Sequence, residues 1–174
     1  HEELKRTQTW SKSILVNALV PVFLSDGKAV QATTYQTHQL IRFNEDYSSL
    51  GIERGEYLRV IKTYKKSNRV VLRKENDNEI IWRPDKIAGK SPGKVELFNE
   101  KVREFCVGES ILFHRSVKAR GIVKGERATI MDIHQQKLKL KNDEGKIIIF
   151  DLENPWHRHM DYGYAVGLHA IAHE

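Results

Sequence analysis

IRFNEDYSSLGIERGEYLRVI, residues 41–61, returns 70 positions later as ILFHRSVKARGIVKGERATIM, residues 111–131. Ile41 aligns with Ile111, Phe43 with Phe113, Gly51-Ile52 with Gly121-Ile122, Gly55-Glu56 with Gly125-Glu126, and Val60 with Ile130. The match continues at an offset of 68: Val70 and Leu72 meet Leu138 and Leu140, and Ile80-Ile81-Trp82 meets Ile148-Ile149-Phe150. One loop has lost two residues in the second copy. The chain is an internal duplication.

Each copy is punctuated like a small β-barrel. Leu58-x-Val60, Val70-x-Leu72 and Leu138-x-Leu140 alternate with the period of two that buries one strand face. Between them stand the turn formers Lys66-Ser67-Asn68, Asn76-Asp77-Asn78 and Asn142-Asp143-Glu144-Gly145. The expected fold is mainly β (α+β): two tandem SH3-like barrels, residues 37–90 and 107–153, joined by a linker helix over 91–106. Within that helix Leu97, Val102 and Phe105 would make the buried stripe. Phe43, Phe113, Trp82 and Phe150 are expected in the two cores. Residues 1–36 and 154–174 read as connecting segments. The first includes a helix tail at Glu2 to Thr7, an extended apolar run from Ile14 to Phe23, and a short helix after a Ser25 cap that extends toward Thr34.

Composition bounds the function. The chain has 174 residues, 29 Lys plus Arg against 23 Asp plus Glu, and a formal net charge of +6. No apolar run approaches the roughly 18 residues of a membrane helix, so no membrane insertion is expected. One cysteine, Cys106, excludes an internal disulfide and fits a reducing, cytoplasmic setting. Cys106 reads as a small buried residue.

Catalytic signals are weak. Gly89-Lys90-Ser91 ends like a phosphate-binding loop, but Pro84 stands where the earlier glycine is required. Among the histidines at 157, 159, 169 and 173, His169 and His173 have i, i+4 spacing; an exposed terminus is the simpler reading than a metal site. No cofactor, metal or catalytic residue is expected. The basic residues are better placed. Arg59, Lys62, Lys65, Lys66, Arg69, Arg73 and Lys74 fall within 16 residues that contain no acid. The second copy echoes them with Arg115, Lys118, Arg120, Lys124 and Arg127. Arg59, Lys62, Lys65, Lys66, Arg69, Arg73, Lys118, Arg120 and Lys124 are the candidate DNA contacts, through the phosphate backbone rather than base edges. Tyr47, Tyr57 and Tyr64 offer stacking faces for unpaired bases. The competing reading is a solvated face whose lysines guard strand edges.

The phrases RFNEDYSSLGIERGEYLRVI (42–61), GESILFHRSVKARGIVKGERATI (108–130) and DYGYAVGLHA (161–170) resemble the TraI-type conjugative relaxase–helicases. In that family a RecD-like superfamily 1 motor carries an insert of two related β-rich subdomains in its second RecA-like domain. EELKRTQ (2–8) resembles the segment leaving the motor. The resemblance implies a non-catalytic accessory module that guides single-stranded DNA beside the parent motor domain. It also implies a translocation signal read by the type IV secretion coupling protein, carried here by Gly55, Glu56, Leu58, Arg59 and Val60. Tyr57 and Ile61 depart from the family phrase. Gly167-Leu168 and Ala170-Ile171-Ala172 depart from its terminal helicase motif, so no motor role passes to His169. The alternative is a protein-interaction module that docks a secretion or motor partner without touching DNA.

Overall fold

A computed structural model describes residues 12–87 and 94–164. The strands are β1 (Ser13–Val22), β2 (Leu40–Phe43), β3 (Tyr57–Tyr64), β4 (Arg69–Arg73), β5 (Glu79–Trp82), β6 (Val95–Cys106), β7 (Ser110–Phe113), β8 (Arg127–His134), β9 (Lys137–Asn142), β10 (Ile147–Asp151) and β11 (Met160–Tyr162). Among the described residues there are also two four-residue helices, α1 (Asp26–Ala29) and α2 (Pro84–Ile87), and several 3-10 turns. The sheet orders are β1-β6-β2-β3-β4-β5 and β10-β9-β8-β7-β11, both open. The class is mainly β. The chain divides into a first unit, Pro21–Glu100, and a second, His1–Val20 with Lys101–Glu174.

The duplication is visible in the strand order. β6-β2-β3-β4-β5 and β11-β7-β8-β9-β10 are the same five-stranded antiparallel arrangement, with the last strand of each copy paired beside the first. Backbone hydrogen bonds repeat as well. Phe43 N–H donates to the Glu56 carbonyl and Phe113 N–H to that of Glu126, both at 3.0 Å; Val60 to Gln39 and Ile130 to Glu109 are both 2.9 Å. The single bridges Tyr47–Ile52 and Val117–Ile122 occupy the same place in the two copies. Between the bridged residues Gly51 and Gly121 end 3-10 turns at φ 68° and 71°, where a Cβ is disfavoured.

The linker helix expected over 91–106 is absent among its described residues, which form the twelve-residue strand β6. Charges at Glu96, Lys101, Arg103 and Glu104 lend this stretch a helical look, but β2 needs a partner. Val95, Glu96, Leu97 and Phe98 pair with Phe43, Arg42, Ile41 and Leu40. The expected stripe dissolves: Leu97 and Phe105 are buried, whereas Val102 is 61% exposed. The connecting segments are also structural. Ala29, Ala32 and Tyr35 join the core of the first unit, and Met160 joins that of the second. Ile14 to Phe23 is extended over β1, and Ser25 caps α1 by accepting from Lys28 N–H at 3.3 Å. The helix ends at Ala29, with a separate 3-10 turn at Ala32–Thr34. The expected helix tail at Glu2 to Thr7, Gly89-Lys90-Ser91, His169 and His173 lie outside the described residues.

Both cores use the predicted aromatics. Trp82 is fully buried, edge-on to Tyr35 at 5.0 Å and to Phe43 at 5.3 Å, contacts worth about 0.5–1.5 kcal/mol each beyond burial. Phe150 meets Phe113 at 5.2 Å and stacks on His157 at 4.7 Å. Tyr35 donates its hydroxyl to the Ala29 carbonyl at 2.6 Å, and burial pushes its pKa upward.

One irregularity positions the candidate site. Leu58, Val60, Lys62 and Tyr64 are all even-numbered, so strict alternation would put all four on one face. A β-bulge between Val60 and Lys62 inserts Ile61 as an unpaired residue, so Val60 faces Leu72 while Lys62 faces Val71 and Tyr64 faces Arg69. The bulge reverses the alternation: Leu58 and Val60 stay in the core, and Lys62 and Tyr64 point outward. The same shift lies between Ile130 and Asp132 in β8, where Ile133 turns inward.

Candidate nucleic-acid interface

The outer face of β3, β4 and β5 is built from cross-strand neighbours. Arg59, Arg73 and Glu79 form one row; Lys62, Val71 and Ile81 the next; Tyr64 and Arg69 the third. Lys65 and Lys66 occupy the exposed β3–β4 turn. Asn68 shapes the return: at φ 50°, its side chain accepts from Ala32 N–H at 2.7 Å and donates to the Val30 carbonyl at 2.9 Å. The Lys62 ammonium lies 4.9 Å from the Tyr64 ring centroid, and that ring is 44% exposed. A cation and a π-face are thus presented together to solvent.

Sheet pairing divides the predicted contacts in two. Lys62, Lys65, Lys66 and Arg69 make no ion pair among the described residues and are exposed. Arg59 and Arg73 are engaged. Arg59 donates to the Glu100 carboxylate and, at 2.8 Å, to the His38 carbonyl; Arg73 pairs with Glu79 at 2.8 Å. Lys74 is held by the Gly51 carbonyl and lies 3.5 Å from Glu56. The run from 59 to 74 contains no acid, but folding brings acids from 56, 79 and 100. Edge protection does not account for Arg69, because β4 lies between β3 and β5.

Of the other predicted residues, Lys118 and Arg120 stand on the 3-10 turn of the second unit and Lys124 follows it, all exposed. Tyr57 is half-buried, with the Arg42 guanidinium 6.0 Å from its ring centroid. Tyr47 packs against the core at 5.7 Å from Phe43, and burial raises its pKa. Neither matches Tyr64 as a stacking platform.

The signal-like phrase is largely internal. Leu58 and Val60 are fully buried, and Gly55 lies at φ 89° below the Arg42 guanidinium. The Glu56 carboxylate accepts from Glu53 N–H at 2.8 Å. Arg59 is the one side chain of the phrase directed to the outer face, with about a third of it exposed.

A basic row missing from the candidate set lies in the second unit. Lys137, Lys139 and Lys141 share the outer face of β9 and occupy the repeat positions of Arg69, Val71 and Arg73. The offset of 68 that aligns Leu138 and Leu140 with Val70 and Leu72 points to this row. Two histidines, His157 and His114, have a structural explanation. His157 is buried, and its Nδ1 accepts from Asp151 N–H at 2.9 Å, which requires that nitrogen unprotonated. Burial and then Arg120 push its pKa down. Burial also lowers that of His114, against the opposing pull of Asp161, whose carboxylate lies 3.9 Å away. No group of three or more metal-ligating side chains occurs among the described residues. Cys106 is half-buried. No helix among the described residues is long and apolar enough to cross a membrane.

No protein-family model matches the chain, and comparison with curated proteins yields no match.

Proposed function

We propose that this chain is a non-catalytic accessory module that guides single-stranded DNA in the cytoplasm, as part of a conjugative relaxase–helicase. The observation that carries the reading is the outward face at Lys62, Tyr64 and Arg69, extended by Lys65 and Lys66. It sets cations without acidic partners around an exposed ring. Cations neutralise phosphates and release counterions, and a ring stacks on any base, so the expected binding is salt-dependent and tolerant of sequence. The relaxase–helicase context rests on the sequence resemblance. So does the role as a translocation signal for the secretion coupling protein. Since Leu58 and Val60 are core residues, that signal would be read from the folded surface around Arg59 rather than from the linear phrase.

The test is fluorescence anisotropy with a labelled thymidine oligomer at several salt concentrations. Charge reversal at Lys62, Lys65 and Lys66 is expected to weaken binding and flatten its salt dependence. Tyr64→Ala is expected to cost about 1–3 kcal/mol with the salt slope retained. Wild-type affinity in both variants would remove this face from the mechanism. A fusion-transfer defect in Arg59→Glu with normal oligomer affinity would favour a protein-docking role instead.

A further inference from the structure

We propose that Lys137, Lys139 and Lys141 form a second contact strip for single-stranded DNA, one that grips phosphates without reading or stacking on bases. The inference rests on the reading of the first unit as a single-strand surface and assigns the second unit its own share of the work.

The geometry is regular. The three lysines alternate with Leu138 and Leu140, which are fully buried, so their side chains leave the same face of one strand. Same-face residues in a strand repeat at about 6.7 Å. That interval is comparable to the separation of successive phosphates along an extended single strand, so three ammonium groups can follow three phosphates without bending either partner.

The chemistry is directional too. β9 lies between β8 and β10, so these lysines guard no sheet edge. Lysine is depleted in strands, and three on one face of a central strand repel each other. None makes an ion pair among the described residues. The two neighbouring carboxylates have other donors. Asp132, opposite Lys139, accepts from Lys12 at 3.2 Å and from Ile133 N–H at 2.9 Å, with Lys139 the smallest of the influences on its charge. Asp151, opposite Lys137, accepts from Glu153 N–H at 3.0 Å. A linear polyanion is the partner that relieves this repulsion at all three positions together.

The second unit differs from the first in what flanks the cations. Beside the lysines on β10 are Ile147 and Ile149, 47% and 43% exposed, and across β8 stand Thr129 and His134. No Phe, Tyr or Trp belongs to these rows. The strip therefore supplies charge and an aliphatic shelf, but none of the ring stacking offered by Tyr64.

The experiment uses the whole chain and labelled thymidine and adenosine oligomers, titrated across salt. Combined Lys137→Ala, Lys139→Ala and Lys141→Ala is expected to weaken binding about tenfold at low salt. It should lower the slope of log affinity against log salt by about 2, because each single-strand phosphate contact contributes roughly 0.7. The ratio of thymidine to adenosine affinity stays as in wild type. The three Lys→Arg replacements retain both affinity and slope, which separates charge from folding. If the alanine variant binds like wild type while the charge-reversed Lys62, Lys65, Lys66 protein binds weakly, the strip is overturned and the first-unit reading stands. If wild type binds no oligomer, both fail. Inorganic polyphosphate of equal charge competing as well as the oligomer overturns the assignment to single-stranded DNA.

Discussion

The two units share a backbone plan and differ in surface chemistry. Val60 and Ile130, Leu72 and Leu140, Trp82 and Phe150 occupy matched core positions, and all are buried. Outside, Lys62 corresponds to Asp132, Tyr64 to His134 and Glu79 to Ile147. Interior positions tolerate only apolar exchange of similar volume, because a polar group there would lose its water without gaining a partner. Solvent-facing positions carry no such constraint. Duplication followed by drift has preserved the frame and produced two different faces.

The largest expected effect is in the cores. Trp82→Ala removes a buried indole and its contacts with Tyr35 and Phe43, and is expected to cost about 3–5 kcal/mol. Hydrogen exchange should show the loss concentrated in β2 to β5, with β7 to β10 protected. Equal loss of protection in both units would break the comparison, since the two would then unfold as one body. A loss of about 1–2 kcal/mol is expected for Gly51→Ala and Gly121→Ala, measured by urea denaturation, because both residues lie at positive φ. A Cβ at position 121 would stand 2.8 Å from the Lys146 ammonium, against 3.9 Å from that of Lys74 at position 51. The Lys146 ammonium is the far end of a flexible side chain and can swing aside, so the two variants should lose about the same stability.

Acid should separate the units further. His114 and His157 have pKa values held below the ordinary imidazole value, chiefly by burial. The unfolded chain then binds protons that the folded one refuses. Their contribution is complete above about pH 6.5, the unfolded value, and is lost as pH falls from there through the folded values. Hydrogen exchange at pH 7.5 and 5.5 should show β7 to β10 losing protection before β2 to β5. The smallest expected effect is that of Glu79→Gln. The exposed Arg73–Glu79 pair contributes at most about 0.5 kcal/mol, so stability barely changes. Arg73 is released, and oligomer affinity should rise modestly in the anisotropy titration.

Much of the fold was legible because the repeat carried it. Phe43, Phe113, Trp82 and Phe150 align as core in the repeat itself, and the alternation around Val60, Leu72 and Leu140 marks three strands. Residues 95–106 were not legible as a strand, because mixed charges obscured the alternation and the deciding fact is the unpaired side of β2. In the candidate site Lys62, Lys65, Lys66 and Arg69 could be read from charge alone. The engagement of Arg59 by Glu100 and of Arg73 by Glu79 could not, since sheet pairing joins residues that are far apart or across a turn in sequence. The Lys137 row was readable in principle from the offset of 68.

The unpaired Ile61 has a consequence for how such a surface is gained or lost. Deleting that one residue would leave Val60 inward and Lys62 and Tyr64 outward in plain alternation, whereas pairing Ile61 in a regular ladder would bring Lys62 and Tyr64 under the sheet and turn Thr63 out. Among related chains, then, loss of this residue leaves the presented surface intact, and its gain is harmless only while the extra residue stays unpaired. An alignment that scores only residue identity would miss it.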